Sequence, residues 1–450
     1  MTVTILTNGL VLTMDPEQKI IHNGSVVIKN GKIDAILQKP PDPAQYPEAE
    51  TINMENKALI PGFINAHTHI AMAPFKGIVH DRPNVLYDIV WPIETSLTEE
   101  NCFHLARLGA LEALKAGSVG VADHYFFMDA ITEGIIDVGL RGFVGETIMD
   151  LAGPFASDES LSKGISFWHR WREKNRLIQP VLAPHAPDTV SKEALLNLKD
   201  FSEQSAATLH IHLAQTQLEY DEISKKHNKS PVHYLYDIGF LGANVVAAHC
   251  IYMNEADIHM LFETNTNAIY CPSTHAFGGH VAPVARMVDQ KVNVGLGTDF
   301  VAENDDHNVF EEMRLATMLQ KVIHKDPTAL PTRDVIKMPT INAAKAYGVD
   351  HSLGSLEVGK SADIVVIDLK TARLTPHYNI TSALVYAASE ADVYAVLIQG
   401  EFVIDHRKVL TVCEEEIIEK GKKACQEVLV KAIRKKPVLE RYIDTDIRQY

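Results

Sequence analysis

Cysteine is scarce and scattered. The five are Cys102, Cys250, Cys271, Cys413 and Cys425, an odd number at wide spacing with no C-x-x-C pair. A disulfide framework is therefore excluded, and a reducing compartment fits better. No apolar run approaches the roughly 18 residues of a membrane span. The stretch Met1-Thr2-Val3-Thr4-Ile5-Leu6 lacks the basic and apolar regions of a secretory leader. Lys and Arg form no long run before the C-terminal tail, and the net charge is −16 with His neutral, so no nucleic-acid footprint is present. The acidic balance speaks mainly to solubility. There is no short-period repeat and no low-complexity tract. These absences leave a cytoplasmic protein, with neither membrane nor nucleic acid as partner.

Apolar side chains are plentiful. At 46% hydrophobic and 22% charged over 450 residues, the chain can bury the core of an α/β barrel plus a smaller unit, and wholesale disorder is excluded. Residues 1–57 read as short strands: Val3–Leu6, Gly9–Met14, Ser25–Lys29 and Lys32–Leu37, with Asn30-Gly31 as a two-residue hairpin turn and no helix. Residues 353–410 return to β character, through Ile364–Asp368 and a hairpin of Val393–Ile398 and Phe402–Ile404. The simplest arrangement pairs these two segments in one small β-domain. Residues 58–352 form the barrel inserted between them, and residues 411–450 form a C-terminal helix, over 413–434, and a charged tail.

The inserted segment alternates strands and helices. Eight candidate strands are Leu59–Ala66, Ser118–Ala122, Gly142–Thr147, Pro180–Ala183, Thr208–His212, Val245–Ala248, Ala268–Tyr270 and Val292–Gly297. Between them Glu99–Ala116 has helical apolar spacing and stops at Gly117, while Ser191 and Asn254 are workable N-caps. Eight such units in about 240 residues match a (β/α)8 barrel. The alternative, a doubly wound sheet, would favour a Gly-rich phosphate loop after the first strand, and none is there.

Barrel active sites lie at the C-terminal strand ends. Leu59-Ile60-Pro61-Gly62-Phe63-Ile64-Asn65-Ala66-His67-Thr68-His69 ends in His-x-His, whose rings share one face of a strand. Later strands end in Asp123-His124, His185, His212 (with His210 two residues before), His249-Cys250, Cys271 and Asp299. His67, His69, His212 and Asp299 supply three imidazoles and a carboxylate, a donor set for one divalent metal with a position left for water. Such a set suits zinc or iron better than calcium or magnesium. Bound water would lose its proton near neutral pH. Asp299 can take that proton, with His249 close by as a general acid/base group.

At these residues the chain resembles the amidohydrolase superfamily. The similarity rests on Pro61–His69, Trp91-Pro92-Ile93-Glu94, Pro184-His185-Ala186-Pro187, His210-Ile211-His212-Leu213-Ala214, Ala247-Ala248-His249-Cys250, Gly297-Thr298-Asp299 and Leu356–Asp363, in the family's order. The nearest branch is that of the methylthioadenosine/S-adenosylhomocysteine deaminases and the triazine chlorohydrolases. The resemblance implies a (β/α)8 barrel, a composite β-sandwich and one divalent metal on His67, His69, His212 and Asp299, with His249 assisting attack. No Lys ends a strand where a two-metal site would need one. Glu94 and His185 match positions that contact ribose and base; by themselves they read equally as a helix-start carboxylate and a buried, hydrogen-bonded His.

Two positions depart from the deaminase pattern. Gln215 stands where a Glu usually shuttles a proton to the ring nitrogen, and an amide can only hydrogen-bond the ring. Glu146 aligns with a substrate-binding Arg of the nucleoside deaminases. Glu219, four residues after Gln215, reads as a solvated carboxylate. The expected reaction is hydrolytic deamination of a small N-heterocycle: a purine, pterin, pyrimidine or triazine. Chloride displacement from a triazine-like ring is the first alternative, and a non-catalytic binding protein on the same barrel the second. Exposed helix faces leave room for a homo-oligomer without selecting a symmetry.

Overall fold

The computed structural model describes residues 3–82 and 85–443. The chain opens with β1 (Val3–Leu12), β2 (Ile20–Lys29), β3 (Lys32–Leu37), β4 (Glu50–Asn53) and β5 (Lys57–Pro61). Asn30 (φ 51°) and Gly31 (φ 77°) make the tight turn between β2 and β3. The run expected to be one strand from Leu59 to Ala66 is two. Lys57–Pro61 pairs with β1, and only Phe63–Thr68, strand β6, enters the barrel. The break falls at Gly62, where a Cβ would lie 2.2 Å from Val119 Cγ1. Strand β4 and a single turn of 3₁₀ helix at Pro43–Gln45 add to the four strands expected in this stretch, where the sequence predicts no helix.

The ring continues through β7 (Ser118–Tyr125), β8 (Arg141–Ile148), β9 (Ile178–Pro180), β10 (Ala183–Pro184), β11 (Leu209–Leu213), β12 (Val245–His249), β13 (Asn267–Tyr270) and β14 (Val294–Leu296). Every pairing among them is parallel, in two sheets, β6 to β10 and β11 to β14. Parallel bridges close both seams, Leu182 to Leu209 and Thr68 to Asp299. The second seam is tight. A Cβ at Gly297 would lie 2.7 Å from the backbone N and O of His67, and Asp299 N–H donates to the His67 carbonyl at 2.9 Å. Ile64, Ala66, Ala122, Phe143, Val181, Val246 and Ile269 form one buried cluster. Alternate strand residues therefore fill the ring, and the polar rings stack above them.

Helix starts follow their caps. Thr98, Ser191 and Asn254 each accept a backbone N–H in the first turn of the helices Glu99–Lys115, Lys192–Ser205 and Glu255–Thr264. After the barrel, β15 (Ile364–Asp368) pairs antiparallel with β5, and β16 (Val393–Ile398), β17 (Glu401–Asp405) and β18 (Lys408–Val409) extend the same sheet to nine strands. Leu6, Val26, Ile28, Leu59, Ile364 and Leu397 form its own buried cluster. The helix Glu414–Lys435 lies on Glu99–Lys115, where both guanidinium NH groups of Arg107 reach Glu416 at 2.9 and 3.1 Å. No helix of the described residues is long and apolar enough to cross a membrane.

Candidate active site

Four rings meet above the apolar filling of the barrel. The donor atoms of His67, His69, His124 and His212 lie within 4.8 Å of one another, as do those of His67, His249 and Asp299. His67 Nε2 and His69 Nε2 are each 3.3 Å from Asp299 Oδ1. His249 Nδ1 is 3.9 Å from Asp299 Oδ2 and 3.3 Å from His275 Nε2. The sequence-predicted donors are thus brought together.

Hydrogen bonds set the tautomers. Tyr347 donates its OH to the Ala66 carbonyl at 2.8 Å, so towards His210 Nδ1, 3.3 Å away, it accepts. That proton on His210 Nδ1 leaves Nε2 bare, to accept from His67 Nδ1 at 2.9 Å. The chain ends with an unprotonated His67 Nε2, buried and without a hydrogen-bond partner. His69 Nδ1 donates to the His124 carbonyl at 2.9 Å, which likewise frees its Nε2 lone pair towards Asp299. Two bare ring nitrogens beside a carboxylate are what a divalent cation requires, so these residues fit one. Neither Tyr347 nor the role of His210 is legible from residue type, because the relay crosses from a later helix to a strand.

The backbone is strained where it presents these groups. Ala214 (φ 51°), His249 (φ 77°), Cys250 (φ 52°) and Asp299 (φ 58°) all adopt positive φ at the ends of β11, β12 and β14. Non-glycine residues hold such conformations only when their surroundings enforce them, and they concentrate at functional sites. At Asp299 the enforcement is visible. The Asn65 side chain both donates to Thr298 Oγ1 (2.9 Å) and accepts from Thr298 N–H (3.0 Å), pinning the residue before Asp299. Asn65 stood two residues before the His-x-His motif with no role assigned to it.

A cavity opens over His69, His212 and Asp299, walled by Trp91, Phe126, Met149 and Phe300. Glu94, His185 and Gln215 line it too. Tyr125 donates to Glu94 at 2.7 Å. His185 Nδ1 is 2.8 Å from Thr189 Oγ1, whose own proton goes to the Ala186 carbonyl. Gln215 is held by its backbone: Glu219 accepts from Ala214 N–H and Gln215 N–H, both at 2.8 Å. Glu219 is only 3% exposed, so the solvated reading of it is wrong. It sits in the first turn of the helix Gln217–His227, whose start folds the side chain back onto the loop. Glu146 is accounted for by the fold as well. It accepts from Met128 N–H at 2.8 Å, capping the helix Met128–Val138, where Phe127 offers no capping side chain.

Charge follows burial. Burial pushes Asp299 up, but His249, His67 and His69 outweigh it and hold the carboxyl well below its usual range. Burial lowers His212 and His249 well below the ordinary imidazole value. His69 is the exception: Asp299, Asp123 and the His124 carbonyl overcome burial and raise it, so the surroundings of this ring favour positive charge, which is what a bound cation supplies. Burial raises Glu94 to about 7 against the pull of Tyr125. Glu219 is raised to about 8 by burial and Asp188, despite its backbone donors. The thiols of Cys250 and Cys271 are pushed up by burial and are not nucleophiles.

A closed parallel barrel with imidazoles and a carboxylate converging at its C-terminal mouth defines a metal-dependent hydrolase. Comparison with known proteins narrows that class. Residues 58–403 match the model of the amidohydrolase family, and the chain belongs to that family. It is 36% identical to a 5'-deoxyadenosine deaminase of Methanosarcina acetivorans over 432 residues, 95% of this chain and 99% of the relative. It is 33% identical to a 5-methylthioadenosine/S-adenosylhomocysteine deaminase of Thermoanaerobacter pseudethanolicus, covering 94% and 99%. Among solved structures, an adenosine deaminase from Xanthomonas campestris with bound zinc superposes with a TM-score of 0.87 at 27% identity, covering 94% of this chain and 98% of that one.

Proposed function

We propose that this enzyme hydrolytically deaminates the purine ring of an adenosine-type nucleoside with a small 5' substituent, using one divalent metal held by His67, His69, His212 and Asp299. The observation that supports it is the convergence of those four residues, two with tautomers already set for ligation, beneath a cavity bearing Glu94, His185 and Gln215. When bound, the cation lowers the pKa of a water molecule to near neutrality. Zinc fits the relatives; iron fits the donor set equally.

The rest is work for the side chains. Asp299, held ionised, takes the water proton on a carboxylate oxygen and delivers it towards the departing amine. His249 steadies the oxygen as it develops charge. The ring carbon gains oxygen and loses ammonia. Gln215 bonds the ring through its amide, and His185, with Nδ1 tied to Thr189, offers Nε2 to the base. Glu94 and Tyr125 face the ribose hydroxyls. Trp91, Phe126, Met149 and Phe300 pack the rings and keep out bulk water. The small molecule is the only partner this reading requires; a homo-oligomer remains compatible with it.

The test is a substrate panel of adenosine, 5'-deoxyadenosine, 5'-methylthioadenosine, guanine, a pterin, cytosine and a chlorinated triazine, read for ammonia and chloride. Ammonia from the 5'-substituted adenosines is expected. Gln215 carries no acidic proton, and chloride needs none to leave. Chloride from the triazine, with no ammonia from any nucleoside, would replace deamination with dehalogenation. No product from a metal-loaded protein would favour a binding role.

A further inference from the structure

His124 has no part in the donor set that the sequence pointed to, yet it lies within that set. It ends β7, is 1% exposed, and is tied to the site twice. Its carbonyl accepts the proton that frees His69, and its own Nε2 lies 3.0 Å from His212 Nε2. Its ring centroid is 4.3 Å from that of His212 at an interplanar angle of 44°, so the two rings are not stacked face to face. His124 Nδ1 has no hydrogen-bond partner, and neither does His212 Nδ1.

Two imidazole nitrogens 3.0 Å apart can be related in two ways. Either one donates a hydrogen bond to the other, or both point lone pairs at one cation. The hydrogen bond would occupy the Nε2 lone pair of His212, or place a proton on it. In either case Nε2 of His212 would be lost as a donor, and its Nδ1 is the atom that the mutual 3.0 Å approach turns away. The shared cation keeps both nitrogens useful. It also explains why a ring nitrogen of His124 falls within 4.8 Å of the donor atoms of His67 and His69 as well as that of His212.

We propose that His124 is a fifth protein ligand of the metal, making the set four imidazoles and one carboxylate. This rests on the metal reading given above. Three consequences follow from ligand number. The site binds its cation more tightly than a three-imidazole set would. It is five-coordinate on protein groups alone and six-coordinate once water is present. It also accommodates metals that accept those numbers, such as iron(II), as readily as zinc, which favours four.

The test compares wild-type protein with His124→Leu, similar in bulk and unable to ligate, and with His124→Ala as a smaller second variant. Each full-length protein is stripped with a chelator and refilled with cobalt(II). The readouts are the visible d–d absorption and the dissociation constant by chelator competition. The wild type is expected to give the weak band of six-coordinate cobalt. Both variants should give a stronger band and bind cobalt at least roughly tenfold more weakly, the scale on which loss of even an outer partner of a ligand is felt. X-ray absorption on zinc-loaded wild type, which needs no variant to fold, should count four imidazoles. An unchanged spectrum and dissociation constant in the variants, or three imidazoles in the wild type, would overturn the assignment and make His124 a hydrogen-bond partner of His212. A wild-type protein that binds no cobalt or zinc would overturn the metal reading itself, and this proposal with it.

Discussion

The floor and the wall of the site are built differently. On the floor, His67, His212, His249 and Asp299 are at most 3% exposed, sit at strand ends, and are fixed by backbone strain and by the Asn65 and Tyr347 clamps. On the wall, Glu94, His185 and Gln215 come from connecting segments, and each is positioned by one neighbour: Tyr125, Thr189 or Glu219. A group that must hold a cation in one geometry is overdetermined. A group that meets a substrate is held by a single contact, which leaves the wall free to vary while the floor stays put. Changes to the floor should therefore abolish chemistry, and changes to the wall should mainly alter binding.

The largest effect is expected for His67→Ala. It should lose both metal and turnover, with metal content measured by elemental analysis; a fully loaded His67→Ala protein would show that the cation sits elsewhere. Next comes Asp299→Asn, which retains a ligand oxygen but cannot take a proton. Turnover should fall by about 10²–10⁴-fold while the thermal midpoint changes little. Near wild-type kcat with metal bound would remove Asp299 from the proton path.

On the wall, Glu219→Gln puts an amide NH₂ against one of the two backbone N–H groups that the carboxylate now accepts. A stability loss of about 1–3 kcal/mol is expected by denaturant titration, together with a KM several-fold higher as the Gln215 loop loosens. A fall in kcat alone, without a change in KM, would instead make Glu219 a proton shuttle. Gln215→Ala should raise KM a few-fold and leave kcat nearly unchanged, the signature of lost uniform binding.

How much of this could be read beforehand follows the same division. The floor was legible because strand ends are marked by pattern, and His, Asp and Cys at such ends are unusual. His124 was visible on the same grounds but unassignable, since two neighbours on one strand point to opposite faces and only the β7 register decides between Asp123 and His124. The joint falls at Pro61-Gly62, and the tertiary reason that only glycine fits there, the close approach of the Val119 side chain more than fifty residues on, was not visible in the sequence. Glu219 was misread because its exposure depends on where a helix begins. Thr216 starts that helix one residue after Gln215, and this turns the carboxylate inward.

The smallest effect concerns pH. Glu94 is raised from 4.5 to about 7, so between those values the folded protein holds a proton that the unfolded chain has released. Its contribution to stability is full below pH 4.5 and is lost as the pH rises through 7. Glu94→Gln should flatten that part of the stability profile, and the same substitution should remove an inflection near neutrality in kcat/KM.

The central claim is that a single cation on the barrel floor enables attack on an aminated ring. It is tested most directly by stripping the metal and titrating it back while following ammonia release from 5'-deoxyadenosine. The account predicts no release from the stripped protein and full recovery at one equivalent per chain. Undiminished release from stripped protein, or recovery only at two equivalents, would contradict it.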